Sequence, residues 1–386
     1  MFAWRKLEGA PGGFVAPPHP LAIMVPTGVP SACWISNTQS KNKAAPLSAM
    51  AVPGPGALLR LKKLPLTVQV PRAGLPFTAI PAGGLHGVGL TRSIRNALKL
   101  AAGTWRAWRL AGKGRPSALL TTGGFVSAPV AVACWLRRVP ILLYLPDIEP
   151  GLAVKFVAWF AAKIGVTTED SAKYFPAHKV IVTGYPTRLD LARADRAAAI
   201  RQFDLIESRP TLLVFGGSKG ARSINRAVQG ILEPLLVKYQ VIHISGSTDA
   251  AEVQAARDAL PDELKRYYHV FEYVHEMGLA LAAADLVVSR AGASILGEYP
   301  LFGLPAILVA YPYAWRYQKV NADYLTTHGA ALRLKDEELT DTLLPAIEQV
   351  LSQGALLEAM SRAARALARP DPALKLAQVL QDLASA

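Results

Sequence analysis

The residues of this chain best suited to bind a nucleotide diphosphate lie in two glycine-rich segments about 70 positions apart. Residues 216–225 read GGSKGARSIN and follow the apolar run 211–215, while residues 289–298 read SRAGASILGE and follow the strand-like run 284–288. A glycine-rich turn between a strand and a helix gathers backbone N–H groups at the positive end of the helix, where a diphosphate binds well. Glu298 adds a carboxylate that can accept hydrogen bonds from both hydroxyl groups of a ribose. Together the segments predict a nucleotide-sugar site. The alternative for the first segment is a tight turn without a ligand, and the alternative for Glu298 is an ordinary acid on a helix surface.

The charge of the chain is concentrated in its first half. The net charge is +14 over 386 residues, and residues 1–180 contain 21 Lys and Arg but only 5 Asp and Glu. No acidic residue occurs between Glu8 and Asp147. A protein surface with this excess of positive charge is expected to bind polyanions or an anionic membrane. Nucleic acid is not a predicted partner, because the chain has no zinc-ligand spacing, basic leucine zipper or aromatic ribonucleoprotein motif.

Residues 92–115 mix cations with aromatic and aliphatic side chains, a composition typical of a helix in an anionic membrane interface. The cations are Arg92, Arg95, Lys99, Arg106, Arg109, Lys113 and Arg115, among Ile94, Leu98, Leu100, Trp105, Trp108 and Leu110. Residues that could extend this surface are Trp135, Arg137, Arg138, Phe156, Trp159 and Phe160. The alternative is a solvated helix face above a core stripe. Pro or Gly interrupts the longest apolar stretches before they reach the roughly 20 residues that a membrane-spanning helix needs. The chain has only two cysteines, which is typical of a protein in a reducing compartment. A peripheral protein on the cytoplasmic side of the cell membrane is therefore expected.

Strand-like and helix-like segments alternate from Leu66 onward, which predicts two α/β domains with parallel sheets. We expect residues 1–185 to form the first domain, of which 1–64 are atypical and rich in Pro and Gly, and residues 186–386 the second, with the last helix able to return to the first. Predicted strands are 66–70, 118–122, 141–145, 180–183, 211–215, 241–245, 285–289 and 305–310. Predicted helices are 92–110, 126–137, 151–163, 340–352, 355–368 and 372–384. Two doubly wound domains that face each other across a cleft would place a ligand at the carboxyl ends of their strands.

An ordered set of motifs resembles the MurG family, the inverting GT-B glycosyltransferases of peptidoglycan synthesis, from about Arg72 to the C-terminus. Besides the two glycine-rich segments, the set comprises GGFVS at 123–127, PDIEPGL at 146–152, GYPTR at 184–188 and YQKVNA at 317–322. The resemblance implies a GT-B fold and transfer of N-acetylglucosamine from its UDP donor to lipid I, an undecaprenyl-pyrophosphoryl-MurNAc-pentapeptide. No cofactor and no metal are implied.

The resemblance also assigns candidate donor-binding residues. The diphosphate would lie against Ser218 and the backbone of Gly217 and Gly220, with Arg188 reaching toward it. Tyr273 and Val274 would flank the uracil, and Ser294 and Glu298 would lie beside the ribose. Gln318 matches one of two glutamines near the sugar hydroxyls, whereas Tyr317 replaces the other. Because of that replacement, a glycosyltransferase of the same architecture that acts on another lipid, such as diacylglycerol, is an alternative function.

The acceptor side departs further from the family pattern. Gly124, Phe125 and Asp147 are the acceptor-side candidates, and Asp147 replaces an asparagine common in the family. The family's Gly-Gly-Thr-Gly-Gly-His loop has its nearest likeness in residues 9–17, where Phe14 takes the place of the histidine. His19 and Asp147 are therefore the candidate catalytic residues, with Glu149 a further possible base. Asp147 could instead cap a helix ahead of Pro150-Gly151, and a catalytically dead scaffold that binds UDP-sugar or lipid is a third function.

Overall fold

The computed structural model describes residues 22–23, 31–36, 78–81, 90–124, 127–188, 191–217, 220–312 and 317–385. These residues form two compact units. The first contains the described residues up to Leu145, residues 150–182 and those from Leu374 onward; the second contains residues 146–149 and 183–373. No helix in the described ranges is both long and apolar enough to cross a membrane.

The first unit is a sheet with helices between its strands. Its strands are β1 (Ala22–Ile23), β2 (Ser31–Ser36), β3 (Thr78–Pro81), β4 (Leu119–Thr121), β5 (Ile141–Leu145), β6 (Lys163–Val166) and β7 (Val180–Val182). Its helices are α1 (Leu90–Gly114), α2 (Ala128–Leu136) and α3 (Leu152–Phe160), followed by short 3₁₀ turns at Glu169–Tyr174 and Ala177–Lys179. Among the described residues the strand order is β3-β2-β1-β4-β5-β6-β7. Strands β1 and β4 to β7 are parallel neighbours. The alternation from Leu66 onward predicted a parallel sheet with β4, β5 and β7, but neither β1 nor β6 was predicted.

Two features of this unit differ from the sequence-based expectation, and one predicted strand is not tested. Strand β2 runs antiparallel to β1 and to β3, because only seven residues separate β1 from β2 and a parallel crossover needs a dozen or more. The helix predicted over 151–163 ends at Phe160, and the same apolar stretch continues as β6. An apolar run alone does not distinguish a buried strand from a buried helix, which explains this error. The strand predicted at 66–70 lies outside the described residues.

The second unit contains a parallel sheet in the order β10-β9-β8-β11-β12-β13. Its strands are β8 (Thr211–Phe215), β9 (Gln240–Ile244), β10 (Tyr268–Phe271), β11 (Leu286–Arg290), β12 (Ala306–Val309) and β13 (Ala331–Leu334). Its helices are α4 (Arg196–Phe203), α5 (Arg222–Gln229), α6 (Leu232–Lys238), α7 (Ala250–Asp258), α8 (Asp262–Lys265), α9 (Met277–Ala283), α10 (Ile295–Phe302), α11 (Tyr317–Thr327), α12 (Leu339–Leu351) and α13 (Gly354–Ala366), with 3₁₀ turns at Leu191–Arg193 and Asp336–Glu338. Strands β8 and β12 are apolar almost throughout and β11 is apolar in its first three residues, and all three are largely buried, as expected for strands covered on both faces.

The last helix, α14 (Pro372–Ser385), packs in the first unit from Leu374 onward. Leu376 and Leu380 are buried against Ala118, Leu142 and Tyr144 of that unit. The amphipathic pattern predicted at 372–384 therefore supplies an apolar stripe that covers part of the β4–β5 region.

Candidate nucleotide-sugar site

The register of the second sheet brings the two glycine-rich segments together. Phe215, the last residue of β8, pairs with Ser289 of β11 on one side and with Ile244 of β9 on the other. The turn that follows β8 and the segment that follows β11 therefore start side by side at the carboxyl edge of the sheet. In parallel α/β sheets this edge is where ligands bind.

The turn between β8 and α5 has the backbone geometry of an anion-binding loop. Gly217 and Gly220 adopt φ of +87° and +79°, a left-handed region that favours glycine, and the Gly220 N–H donates to the Gly217 carbonyl over 2.9 Å. Helix α5 begins two residues later, at Arg222. A Cβ on Gly220 would lie 2.1 Å from the Ser245 carbonyl oxygen, whereas one on Gly217 would meet no atom of the described residues within 4 Å. Among the described residues, Gly220 is thus packed on β9 and Gly217 is open. Ser218 lies outside the described residues.

A second group of polar side chains ties the first turn of α5 to β11. The Ser223 hydroxyl donates to Asp336 Oδ1 over 2.7 Å and accepts from Arg290 Nη2 over 2.7 Å. Arg290 also pairs directly with Asp336, and its side chain is 11% exposed. Sequence reasoning placed Arg290 in a motif but missed Asp336, because nothing in the local sequence links these two positions.

Glu298 lies on α10 beside Ser294 and Arg188. Burial raises the pKa of Glu298, and a hydrogen bond from the Ser294 side chain and the positive charge of Arg188 lower it in part. Tyr185 packs against the same helix, where a Cβ on Gly297 would lie 2.7 Å from the Tyr185 Cβ. Burial, together with the charges of Glu298 and Asp147, raises the pKa of Tyr185 to about 12. The 184–188 segment is therefore held against the helix that carries Glu298.

Asp147 does not cap a helix. Helix α3 begins at Leu152 with Gly151 at its N-cap, while Asp147 Oδ1 accepts a hydrogen bond from Asn321 Nδ2 over 2.9 Å. Asn321 is fully buried and also accepts from the Ile148 N–H over 3.2 Å. Burial raises the pKa of Asp147, and the Asn321 hydrogen bond lowers it in part. The capping interpretation is wrong because a contact between residues 174 positions apart holds this carboxylate.

The remaining donor candidates lie on neighbouring segments of the same unit. Gln318, at the start of α11, accepts the Tyr311 N–H on its side-chain oxygen over 2.8 Å. Burial raises the pKa of Tyr317, with a smaller contribution from the charges of Glu149 and Asp147. Tyr273 follows β10, is 44% exposed and stacks edge-on against His275. Val274 packs against the core.

The acceptor-side candidates of the first unit lie after β4. Gly123 and Gly124 adopt φ of +81° and +89°, and the Ser127 hydroxyl donates to the Gly124 carbonyl over 2.8 Å. A Cβ on Gly123 would lie 2.6 Å from the Val154 side chain, so this turn packs closely on α3. Phe125 and His19 lie outside the described residues. Within the described ranges no group of three His, Cys, Asp or Glu side chains could hold a metal ion.

Comparison with known proteins places these features in one class. Residues 62–166 match the glycosyltransferase family 28 N-terminal domain, and residues 211–376 match the family 28 C-terminal domain. The crystal structure of Acinetobacter baumannii MurG superposes with a TM-score of 0.65 at 23% identity, covering 86% of this chain and 89% of that one. The fold and the matched domains define a GT-B glycosyltransferase of family 28.

Curated relatives refine this assignment. A Roseiflexus protein is 43% identical over 81% of this chain and 79% of its own length, and a Halalkalibacterium halodurans protein is 32% identical over 82% and 87%. Both are named UDP-N-acetylglucosamine--N-acetylmuramyl-(pentapeptide) pyrophosphoryl-undecaprenol N-acetylglucosamine transferase. This chain belongs to the MurG family.

Proposed function

We propose that this protein transfers N-acetylglucosamine from UDP-N-acetylglucosamine to lipid I and so forms lipid II in peptidoglycan synthesis. The observation that carries the proposal is the turn at Gly217 and Gly220, which begins beside the Glu298 segment at one edge of a parallel sheet. Relatives whose names state this reaction match about four fifths of the chain. Family membership indicates the donor and the acceptor, and the residues at the sheet edge are suited to bind the donor.

In the proposed donor complex, the N–H groups of the 217–220 turn and the start of α5 bind the diphosphate. Oriented amides at a helix start stabilise negative charge without reorganising, so they favour the departing UDP more than the intact donor. Arg188, which lies near Glu298, adds a positive charge. Ser294 and Glu298 bind the ribose, Tyr273 and Val274 flank the uracil, and Gln318 contacts the sugar. Ser218 completes the phosphate contacts by resemblance.

The proposed reaction is a single displacement with inversion. The acceptor hydroxyl oxygen attacks the anomeric carbon, the bond from that carbon to the UDP oxygen breaks, and the hydroxyl proton passes to a base. His19 and Asp147 are the candidates, and Asp147 has a property that suits the task. Its raised pKa makes its carboxylate a better proton acceptor than an ordinary aspartate at neutral pH. No metal is needed in this scheme, because backbone amides and Arg188 neutralise the leaving group.

A basic and aromatic surface on the first unit supports a proposed place at the cytoplasmic face of the membrane. The surface comprises exposed side chains of α1, α2 and α3: Leu98, Trp105, Arg106, Trp108, Arg109, Trp135, Leu136, Phe156 and Trp159. Trp159 is 79% exposed. Arg109 lies over the Trp105 ring and Arg137 over the Trp108 ring, at 4.9 and 4.1 Å from the ring centres. Aromatic rings with adjacent cations suit a boundary between acyl chains and anionic headgroups, so the protein would bind peripherally and meet its lipid acceptor there.

The test is transfer of labelled N-acetylglucosamine to a lipid I analogue with a soluble tail. We expect turnover by the wild type and a KM for the donor raised about tenfold or more in Glu298→Gln, because a ribose hydroxyl loses a charged acceptor. Glu252→Gln is the matched control, since Glu252 lies on the surface of the same unit and pairs only with Arg226 in the described residues.

Three outcomes contradict the proposal. Faster transfer from UDP-glucose to diacylglycerol would favour the other lipid acceptor. Binding of UDP without any turnover would favour a scaffold. Equal kinetics of the Glu298 and Glu252 variants would remove Glu298 from the donor site.

A further inference from the structure

A chain of buried polar side chains lies beneath the glycine turn. Asn225 and His243 are fully buried, and Asp249 is 3% exposed. His243 Nε2 lies 3.0 Å from Asn225 Oδ1, and His243 Nδ1 lies 2.7 Å from the Tyr268 hydroxyl. Asn225 Nδ2 in turn lies 3.0 Å from both the Ser245 carbonyl oxygen and Asp249 Oδ2.

The hydrogen bonds of Asn225 determine the tautomer of His243. Because Asn225 Nδ2 donates to two oxygens, Asn225 Oδ1 must be the acceptor that faces His243. His243 Nε2 therefore carries the proton. Burial lowers the pKa of His243 to about 3, so the ring is neutral and Nδ1 accepts from the Tyr268 hydroxyl. Every polar atom of the His243 ring thus has a partner.

Asn225 connects this ring to the glycine turn. The Ser245 carbonyl that accepts from Asn225 is the same group that leaves room only for a glycine at 220. Asp249, the other acceptor of Asn225, also accepts from Arg222 Nε over 3.0 Å, and Arg222 is the first residue of α5. The end of β9, the glycine turn and the start of α5 are therefore joined through one side-chain amide.

We propose that His243 is a positioning residue for the diphosphate, because it pairs with Asn225 Oδ1 and so supports the amide that joins the Ser245 carbonyl beside Gly220 to the start of α5. This inference rests on the proposed function. Amide groups stabilise a developing charge best when they are fixed beforehand, and the Asn225 hydrogen bonds restrain the β9 side of this turn as the Ser223–Arg290–Asp336 group restrains its β11 side. Without the Nε2 proton, Asn225 Oδ1 would be a buried acceptor without a donor, and only the two Nδ2 bonds would still hold the amide, at the cost of that unpaired acceptor.

The test compares affinities for UDP and uridine, which differ only in the diphosphate. We expect His243→Leu to weaken UDP binding about tenfold and to leave uridine binding unchanged, because one buried hydrogen bond controls the turn. His243→Gln should restore most of the affinity for UDP, since its side-chain amide can donate near the position of Nε2. Gln240→Leu is the matched control: Gln240 is equally buried on β9, but its side chain binds Ile206, Arg209 and Thr211 at the other end of the strand.

The outcomes separate this inference from the proposed function. A wild type that binds UDP no better than uridine would overturn both. The positioning role alone would be overturned if His243→Leu preferred UDP over uridine as strongly as the wild type does. It would also be overturned if the variant lost affinity for UDP and for uridine by the same factor. Should His243→Leu fail to fold, Tyr268→Phe removes only the hydroxyl that donates to Nδ1, and a smaller loss confined to UDP is expected. Unchanged UDP affinity in that variant would count against the role.

Discussion

At the scale of single residues, burial gives two carboxylates of the second unit unusual acid–base behaviour. The pKa values of both Asp147 and Glu298 are raised, in each case chiefly because the charged form is desolvated. Each retains a hydrogen-bond donor, Asn321 for Asp147 and Ser294 for Glu298, which lowers the pKa in part. A buried carboxylate destabilises the folded protein when it is charged, so carboxylates of this kind are found mainly where catalysis or binding requires them.

Asp147→Asn should change stability and activity in opposite directions. The folded protein holds the Asp147 proton to a higher pH than the unfolded chain does, so the stability from this group is greatest in acid and is lost as pH rises through the raised pKa. Asparagine has no charge and can still accept from Asn321. The variant should therefore have a higher Tm at pH 7.5 but no gain near pH 4, as measured by calorimetry.

For transfer, loss of a general base should lower kcat by roughly 10²- to 10⁴-fold. In the wild type, kcat should fall with decreasing pH as Asp147 takes up its proton, and this acid limb should be missing from the residual activity of the variant. Full activity in Asp147→Asn would show that Asp147 is not the base and would leave His19 as the candidate. The comparison is informative because the family resemblance places an asparagine at this position.

At the scale of elements, the site is a set of strand–turn–helix units whose turns need left-handed backbone. Gly217 and Gly220 differ in what surrounds them: the Ser245 carbonyl closes the space at Gly220, whereas no atom of the part of the chain that the structure describes lies within 4 Å of a Cβ at Gly217. Glycine is therefore required at these two positions for different physical reasons. Gly220 permits packing of the turn on β9, whereas Gly217 leaves room beside the turn for a ligand.

Alanine substitutions should separate these reasons. Gly217→Ala incurs only the cost of a left-handed residue, about 1–2 kcal/mol, but should abolish tight UDP binding because its methyl group occupies the open side. Gly220→Ala adds a clash with a backbone carbonyl and should be much less stable. Chemical denaturation and UDP titration measure the two effects. Greater loss of stability in Gly217→Ala than in Gly220→Ala would contradict this account.

At the scale of the whole molecule, the first unit carries the basic and aromatic surface and the second carries the candidate donor site. The strong bias of positive charge toward residues 1–180 coincides with exposed tryptophans on α1, α2 and α3. Each cation near an anionic membrane contributes about 1 kcal/mol of attraction. The two units thus divide the proposed work between membrane contact and donor binding.

Vesicle sedimentation tests this division. Reversing Arg106 and Arg109 to glutamate should reduce binding to anionic vesicles at least about tenfold, because two attractive charges become repulsive. Turnover of a soluble acceptor analogue should not change. Arg201→Glu with Lys375→Glu is the control, since both side chains are exposed and lie away from this surface in sequence. Equal binding of both double variants would show that net charge alone, rather than this surface, attracts the protein.

Local sequence patterns determined the alternation of elements and the two glycine-rich turns. Strands β5 and β8 have the predicted limits, and the first glycine turn follows its predicted strand, because apolar runs bounded by proline or glycine are local signals. The charge bias and the aromatic residues of α1 could likewise be read from composition. The resemblance to the MurG family, carried by motifs spread along the chain, is confirmed by relatives of up to 43% identity.

Only the tertiary structure decided which distant side chains meet. Asn321 holds Asp147 from 174 positions away, Asp336 holds Arg290, Tyr185 packs on Gly297, and His243 contacts Asn225. The end of α3 at Phe160 also depended on neighbours that a linear pattern does not contain. The physical reason is that sheet register and core packing set these distances. Side-chain types and spacing therefore predicted a nucleotide-sugar site, whereas its charge state and its supporting hydrogen bonds arise from burial in the fold.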